Sequence, residues 1–245
     1  MNSCRAARAI ALCLLAASSI LVAAPASAAQ KLEALDRYRT LMDRLHPPAR
    51  FVVEYSETRS GPARVVTETH RVYRNDAGEE RNETIAVNGS PIVPAFVRIF
   101  HRETWPYDAA QFLVSADGYD AKYIGTTIVD EHKTYQYAIT AKSQTSFAIT
   151  ALYLDAIRYL PIKETFDVSG IQCAGHGAID FGSAEGFWMP TVVSAKCAVG
   201  GQDATAASSA STSARSGYSQ TIRFSNYRFP TALPADIFAA PSTGT

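Results

Sequence analysis

The chain lacks most of the patterns that announce chemistry. Its five histidines, His46, His70, His101, His132 and His176, stand far apart, and no two lie within five residues of each other. That removes the local spacing of a zinc motif. No Gly-x-Ser-x-Gly nucleophile elbow, phosphate-cradling loop or dinucleotide fingerprint occurs. Excess charge of one sign is missing too: 23 basic residues face 23 acidic ones, with no basic stripe, which argues against a nucleic-acid partner. Cysteine is scarce, with four in the chain and only Cys173 and Cys197 beyond the N-terminal region. After residue 28 no apolar run is long enough to span a membrane. No enzymatic activity, cofactor or metal ion is expected from these absences.

The N-terminus does carry a signal. Arg5 and Arg8 precede an almost wholly apolar stretch from Ala9 to Ala24, and Ala26-Ser27-Ala28 follows. Charge, apolar core and a small-x-small site in this order are what a signal peptidase reads. The apolar run falls short of the ~20 residues a spanning helix needs. Cleavage after Ala28 is therefore expected, giving a periplasmic or secreted domain of residues 29–245. Cys13 follows Leu12, where lipid attachment would need a small residue, so the mature chain is not expected to be lipidated.

An even number of cysteines in an oxidising compartment points to a disulfide. Ile171 to Phe181 and Phe187 to Val199 read as strands around a turn at Gly182-Ser183-Ala184-Glu185-Gly186. Cys173 and Cys197 are equally far from Glu185, so a hairpin centred there sets them face to face, with Cβ atoms ~4.5–5.5 Å apart. The competing reading is two buried free thiols.

The rest of the chain reads as strands after one helix. Leu32, Leu35, Leu41, Met42 and Leu45 recur at spacings of three and four between Gln30 and Leu45, and Pro47-Pro48 stop that helix. Alternating segments follow: Phe51 to Thr58, Arg64 to Arg74, Glu79 to Val87, Tyr119 to Ile124, Lys133 to Ala141, Phe147 to Asp155, Leu160 to Val168 and Tyr218 to Phe229. Asn75-Asp76-Ala77-Gly78 and Asn88-Gly89 are hairpin signals. Pro91 to Ala116 is less regular, with short strands and a helical turn near Asp108 to Leu113. The stretch 200–216 holds no large apolar residue and reads as a flexible loop rich in Gly, Ser and Ala. His70 reads as a surface or satisfied sheet residue, Glu131-His132 as a solvated turn, and Glu79, Glu80 and Glu83 as a solvated strand face. The expected fold is mainly β: a strongly curved antiparallel meander of about ten strands, each beside its predecessor. It forms an incomplete barrel, with the N-terminal helix and short helices over the concave face.

Several segments in order resemble the Lol-type outer-membrane lipoprotein carriers of bacteria and their wider superfamily. They are the Tyr73 to Gly78 hairpin, Tyr123-Ile124-Gly125-Thr126 before Lys133-Thr134-Tyr135-Gln136-Tyr137, and Leu152-Tyr153-Leu154-Asp155 before Leu160-Pro161-Ile162-Lys163. Phe187-Trp188-Met189-Pro190-Thr191, Phe224-Ser225-Asn226-Tyr227 and Leu233-Pro234-Ala235-Asp236-Ile237-Phe238 complete the set. The resemblance spans Gln30 to Pro241. It implies an apolar cavity between sheet and lid that holds the acyl chains of a lipid or lipoprotein, and a membrane-bound donor or acceptor protein. Strand alternation nominates Val53, Tyr55, Tyr135, Tyr137, Ile139, Ile162, Phe166, Ile222 and Phe224 as lining residues, with plain core packing as the competing role for each. The alternative function is a periplasmic sensing or protein-interaction module on the same fold, as in envelope-stress regulators.

Overall fold

The computed structural model describes residues 28–170, 173–198, 217–234 and 236–239. The export segment before Ala28 and the stretch 200–216 lie outside the described residues. One helix, α1 (Ala28–Arg44), precedes eleven strands: β1 (Phe51–Ser60), β2 (Val65–Arg74), β3 (Glu79–Val87), β4 (Ser90–His101), β5 (Tyr119–Val129), β6 (His132–Ala141), β7 (Phe147–Asp155), β8 (Pro161–Ser169), β9 (Ala174–Ala184), β10 (Phe187–Ala198) and β11 (Gly217–Arg228). A single 3-10 helix, Ala109–Phe112, sits between β4 and β5 among the described residues. It falls where the helical turn was expected, and the Asp108 side chain caps it by accepting from the Ala110 N–H at 2.9 Å.

All eleven strands form one antiparallel sheet in the order β4-β3-β2-β1-β11-β10-β9-β8-β7-β6-β5. The sheet is left open, with β4 and β5 as its edges. The expected simple meander needs one correction. The chain makes a meander from β1 to β4, then crosses to the opposite edge and returns through β5 to β11. The last strand pairs with the first, Tyr55 opposite Phe224 and Glu57 opposite Ile222. The crossing segment, 102–118, therefore spans the sheet.

β4 is a second correction, because Ser90–His101 form one twelve-residue strand where short strands were expected. Proline cannot donate to a ladder, so prolines survive in strands at edges and bulges. β4 is an edge, and its register with β3 shifts between Thr84 and Ala86, which leaves Pro94 outside the paired positions.

The disulfide joins Cys173 and Cys197, with Cα atoms 4.9 Å apart. The two cysteines are not strand partners, however. The turn consists of Glu185 (φ 47°) and Gly186 (φ 89°) alone, and the ladder slips between Pro190 and Val192, so Cys197 faces Gly175. Cys173 precedes β9 and reaches across. Gly175 makes the close approach possible: a Cβ there would lie 1.9 Å from the Lys196 carbonyl oxygen.

Two apolar clusters hold the molecule together. One joins α1, through Ala34, Leu35, Tyr38 and Met42, to β6–β9 and Trp188. The other gathers β1, β2, β11 and Met189 around Trp105 of the crossing segment. Among the described residues no helix is long and apolar enough to cross a membrane.

Candidate functional site: the covered inner face of the sheet

Alternation along each strand sends every second side chain to one face. We call inner the face on which α1 and the 102–118 segment pack. It has two chemically different halves.

The larger half is apolar. Tyr135, Tyr137 and Ile139 of β6 and Ile162 and Phe166 of β8 bury beneath α1. Val53 and Tyr55 of β1 and Ile222 and Phe224 of β11 bury around Trp105. The Trp105 ring centroid lies 4.8 Å from that of Phe51 and 5.5 Å from that of Phe224. The nine nominated residues are thus all buried on the inner face, but in two clusters, packed against the protein's own cover. Tyr55 also borders the polar cleft described below.

One polar group interrupts the apolar half. Glu164 of β8 is fully buried, between Ile162 and Phe166 on the same strand face. Its Oε1 accepts from the Tyr38 hydroxyl of α1 at 3.3 Å, and its Oε2 has no hydrogen-bond partner. Tyr38 in turn accepts from the Val114 N–H at 3.0 Å. Burial pushes the Glu164 carboxyl well above the usual carboxylate range, and the Tyr38 bond opposes that only in part. Burial, and then the nearby Glu164, likewise push the Tyr38 hydroxyl up. Sequence reading passed over Glu164, although the alternation that placed Ile162 and Phe166 inside also places it there.

Among the described residues three long-range backbone hydrogen bonds tie the cover to the sheet, one of them from the Lys142 N–H to the Gly118 carbonyl at 3.0 Å where the crossing segment ends. Trp188 N–H donates to the Leu45 carbonyl at 3.4 Å where α1 ends, and Arg102 N–H donates to the Gly78 carbonyl at 2.9 Å where the crossing segment begins. Arg39 of α1 donates to the Val114 carbonyl at 3.1 Å, which joins the two parts of the cover to each other.

The smaller half of the inner face, running from Glu57 of β1 across β2 to β4, is polar. A cleft of about 280 Å³ lies between it and Trp105, Pro106 and Tyr107. Its floor carries Glu57, Glu68, His70, Glu80 and Asn82, and its far wall Arg98, Phe100 and Arg102. Two expectations are corrected here. Glu80 does not belong to a solvated face: it is 2 % exposed, 3.9 Å from Arg74 Nη1, and burial raises its carboxyl pKa against the pull of Arg102 and Arg74. His70 is neither at the surface nor fully satisfied. It is 7 % exposed and stacks on Tyr55 at 4.7 Å between centroids, while its Nε2 has no hydrogen-bond partner. His132, by contrast, is exposed, with Nδ1 3.3 Å from Asp155 Oδ2.

No protein-family model and no characterised protein sequence matches the chain. Solved structures do resemble it. A DUF1329 family protein from Desulfovibrio piger is 14% identical, with 84% of this chain and 96% of that one covered at a TM-score of 0.47. A putative outer-membrane lipoprotein-sorting protein domain from Vibrio parahaemolyticus is 12% identical, with 85% and 97% covered and a TM-score of 0.47. A LolA superfamily protein from Nitrosomonas europaea is 12% identical over 85% and 97%, with a TM-score of 0.42. Members of the LolA superfamily are thus among the chain's structural neighbours, while the fold described above rests on its own strand pairing.

Proposed function

We propose that this chain is an exported, non-enzymatic carrier that shelters the acyl chains of a lipid or lipoprotein between the inner face of its sheet and a displaceable cover. One observation carries the reading: among the described residues a broad apolar sheet face is closed by a helix and a crossing segment, not by a second sheet, and three long-range backbone hydrogen bonds fasten them to it. In the closed form Leu35, Tyr38, Met42 and Phe112 fill the space above the sheet. An acyl chain would take their place as the cover lifts. Each CH₂ it buries contributes ~0.8 kcal/mol, so affinity needs no catalytic residue and no specific polar contact. The test is native mass spectrometry of protein purified from its own envelope, with titration by a dansylated fatty acid. Copurified lipid and saturable fluorescence are expected. A lipid-free protein that leaves the dansylated fatty acid unbound overturns the reading.

A second reading, a sensing or protein-interaction module that docks a membrane-bound partner, is favoured by the sheet edges. β4 exposes Val93, Phe96 and Ile99, and β5 exposes Ile124 and Ile128. Open apolar edges accept an added strand. Photo-crosslinking residues at Val93 and Ile128 should then yield adducts with one membrane protein in intact cells, and their failure to do so removes this reading.

A further inference from the structure

We propose that Glu57, Glu68 and His70 form a binding site for a divalent transition-metal ion of the zinc class, on the polar half of the inner face, where it borders the apolar surface at Tyr55. The placement follows from strand register. Glu57 of β1 lies directly opposite Glu68 of β2, and His70 lies two residues further along β2 on the same face. Three potential ligand atoms, one from each residue, come within 4.8 Å of one another.

The state of the histidine points to a cation. The Asn82 side-chain Nδ2 donates to the Tyr55 hydroxyl at 3.0 Å, which turns its Oδ1 toward His70. That oxygen lies 3.1 Å from His70 Nδ1 and can only accept, so Nδ1 carries a proton. The other nitrogen, Nε2, then presents a lone pair in the neutral ring. It is buried without a hydrogen-bond partner and lies 3.4 Å from Glu68 Oε2. A buried lone pair 3.4 Å from a carboxylate oxygen is unfavourable unless a positive charge lies near both. Ligating histidines are characteristically oriented by such a bond from the opposite nitrogen.

The distances suit an ion. Ligands at the zinc–nitrogen and zinc–oxygen distances stand about 3.4 Å apart in a tetrahedron. The His70–Glu68 separation is already 3.4 Å. Glu57 needs only a side-chain adjustment, because Arg59 and Gln220 both donate to the same oxygen, Oε1, at 2.5 and 2.7 Å. Three protein ligands leave the fourth zinc position open. It faces the cleft, where Arg98 and Arg102 favour an anionic fourth ligand.

The test uses untagged protein stripped with a chelator and titrated with zinc chloride alone. One equivalent should bind. His70→Asn and Glu68→Gln should each weaken binding at least 10-fold. Asn82→Ala, which removes the orienting amide, should weaken it about 10–100-fold. Circular dichroism screens each variant for a native sheet. A measurement on unmutated protein guards against misfolding: with nitrogen-15-labelled histidine, zinc should move the His70 Nε2 resonance and leave Nδ1 protonated. The proposal is overturned by absence of zinc binding, by unchanged affinity in a folded His70→Asn variant, or by zinc shifts confined to His46, His101, His132 and His176. It stands or falls independently of lipid loading, which has its own probe.

Discussion

Tyr38 of α1 and Glu164 of β8 share a hydrogen bond of 3.3 Å that joins the cover to the sheet, and both side chains are entirely withdrawn from water. A carboxyl in this position favours its neutral form because burial penalises the charge. The sign of the pH effect follows. A folded-state pKa raised above the unfolded value stabilises at low pH, and that stability is lost as pH rises through the folded pKa. Native protein should therefore lose more stability to urea between about pH 5 and pH 8 than Glu164→Gln does. Parallel pH profiles for the two proteins would contradict the assignment.

Tyr38→Phe keeps the ring in the apolar cluster and removes only the hydroxyl. That strands the Val114 N–H and the Glu164 carboxyl, which it now serves at 3.0 and 3.3 Å. A buried polar group left unpaired costs about 1–3 kcal/mol. The expected result is a drop of that order in urea stability, together with faster hydrogen exchange at the Val114 amide. Exchange at Val114 that stays at the wild-type rate would mean the hydroxyl does not hold the cover.

Much of this architecture is legible in strand alternation. The Asn88-Gly89 turn adopts positive φ at both residues, 50° and 79°, as a two-residue hairpin requires. Phe147–Asp155 is the strand that periodicity predicts. The polar site was less legible for a physical reason. Glu57, Glu68 and His70 are brought together by cross-strand register, and nothing in their separation along the chain suggests a ligand set. The alternation itself held part of the answer, since Glu57 shares the face of Tyr55, and His70 that of Val72. A charged residue in phase with apolar ones is easily assigned outward by type alone. The crossing from β4 to β5 was hidden for another reason: only the β1–β11 pairing defines it, and that contact joins the two ends of the sheet-forming chain.

The disulfide is expected to contribute to stability by restricting the unfolded chain. For a loop spanning a sequence separation of 24, the chain-entropy model gives ~3.5 kcal/mol. Replacing both cysteines by serine should lower stability by about that amount. Gly175→Ala tests the geometry behind it. Its Cβ would sit 1.9 Å from the Lys196 carbonyl oxygen, so β9 and β10 must separate beside Cys197. Thiol titration of that variant, made as residues 29–245, should find free Cys173 and Cys197 where the parent holds them in the disulfide. A fully oxidised Gly175→Ala would show that Cys173 reaches Cys197 without the close approach.

Trp105 offers the sharpest way to separate cover from core. Its ring is 4 % exposed and contacts Phe51 of β1, Tyr107 of its own segment and Phe224 of β11, with centroids 4.8, 5.4 and 5.5 Å away. Trp105→Ala should cost ~3–5 kcal/mol by opening a cavity and removing these contacts. Any core tryptophan would give that result, so stability alone decides nothing. The carrier reading adds a kinetic consequence. If the 102–118 segment must move for an acyl chain to enter, loosening it should speed association of a dansylated fatty acid while far-ultraviolet circular dichroism keeps the sheet signature. If the segment is only core, the same variant will be less stable and the association rate will not rise. Stopped-flow fluorescence well below the unfolding midpoint distinguishes the two outcomes.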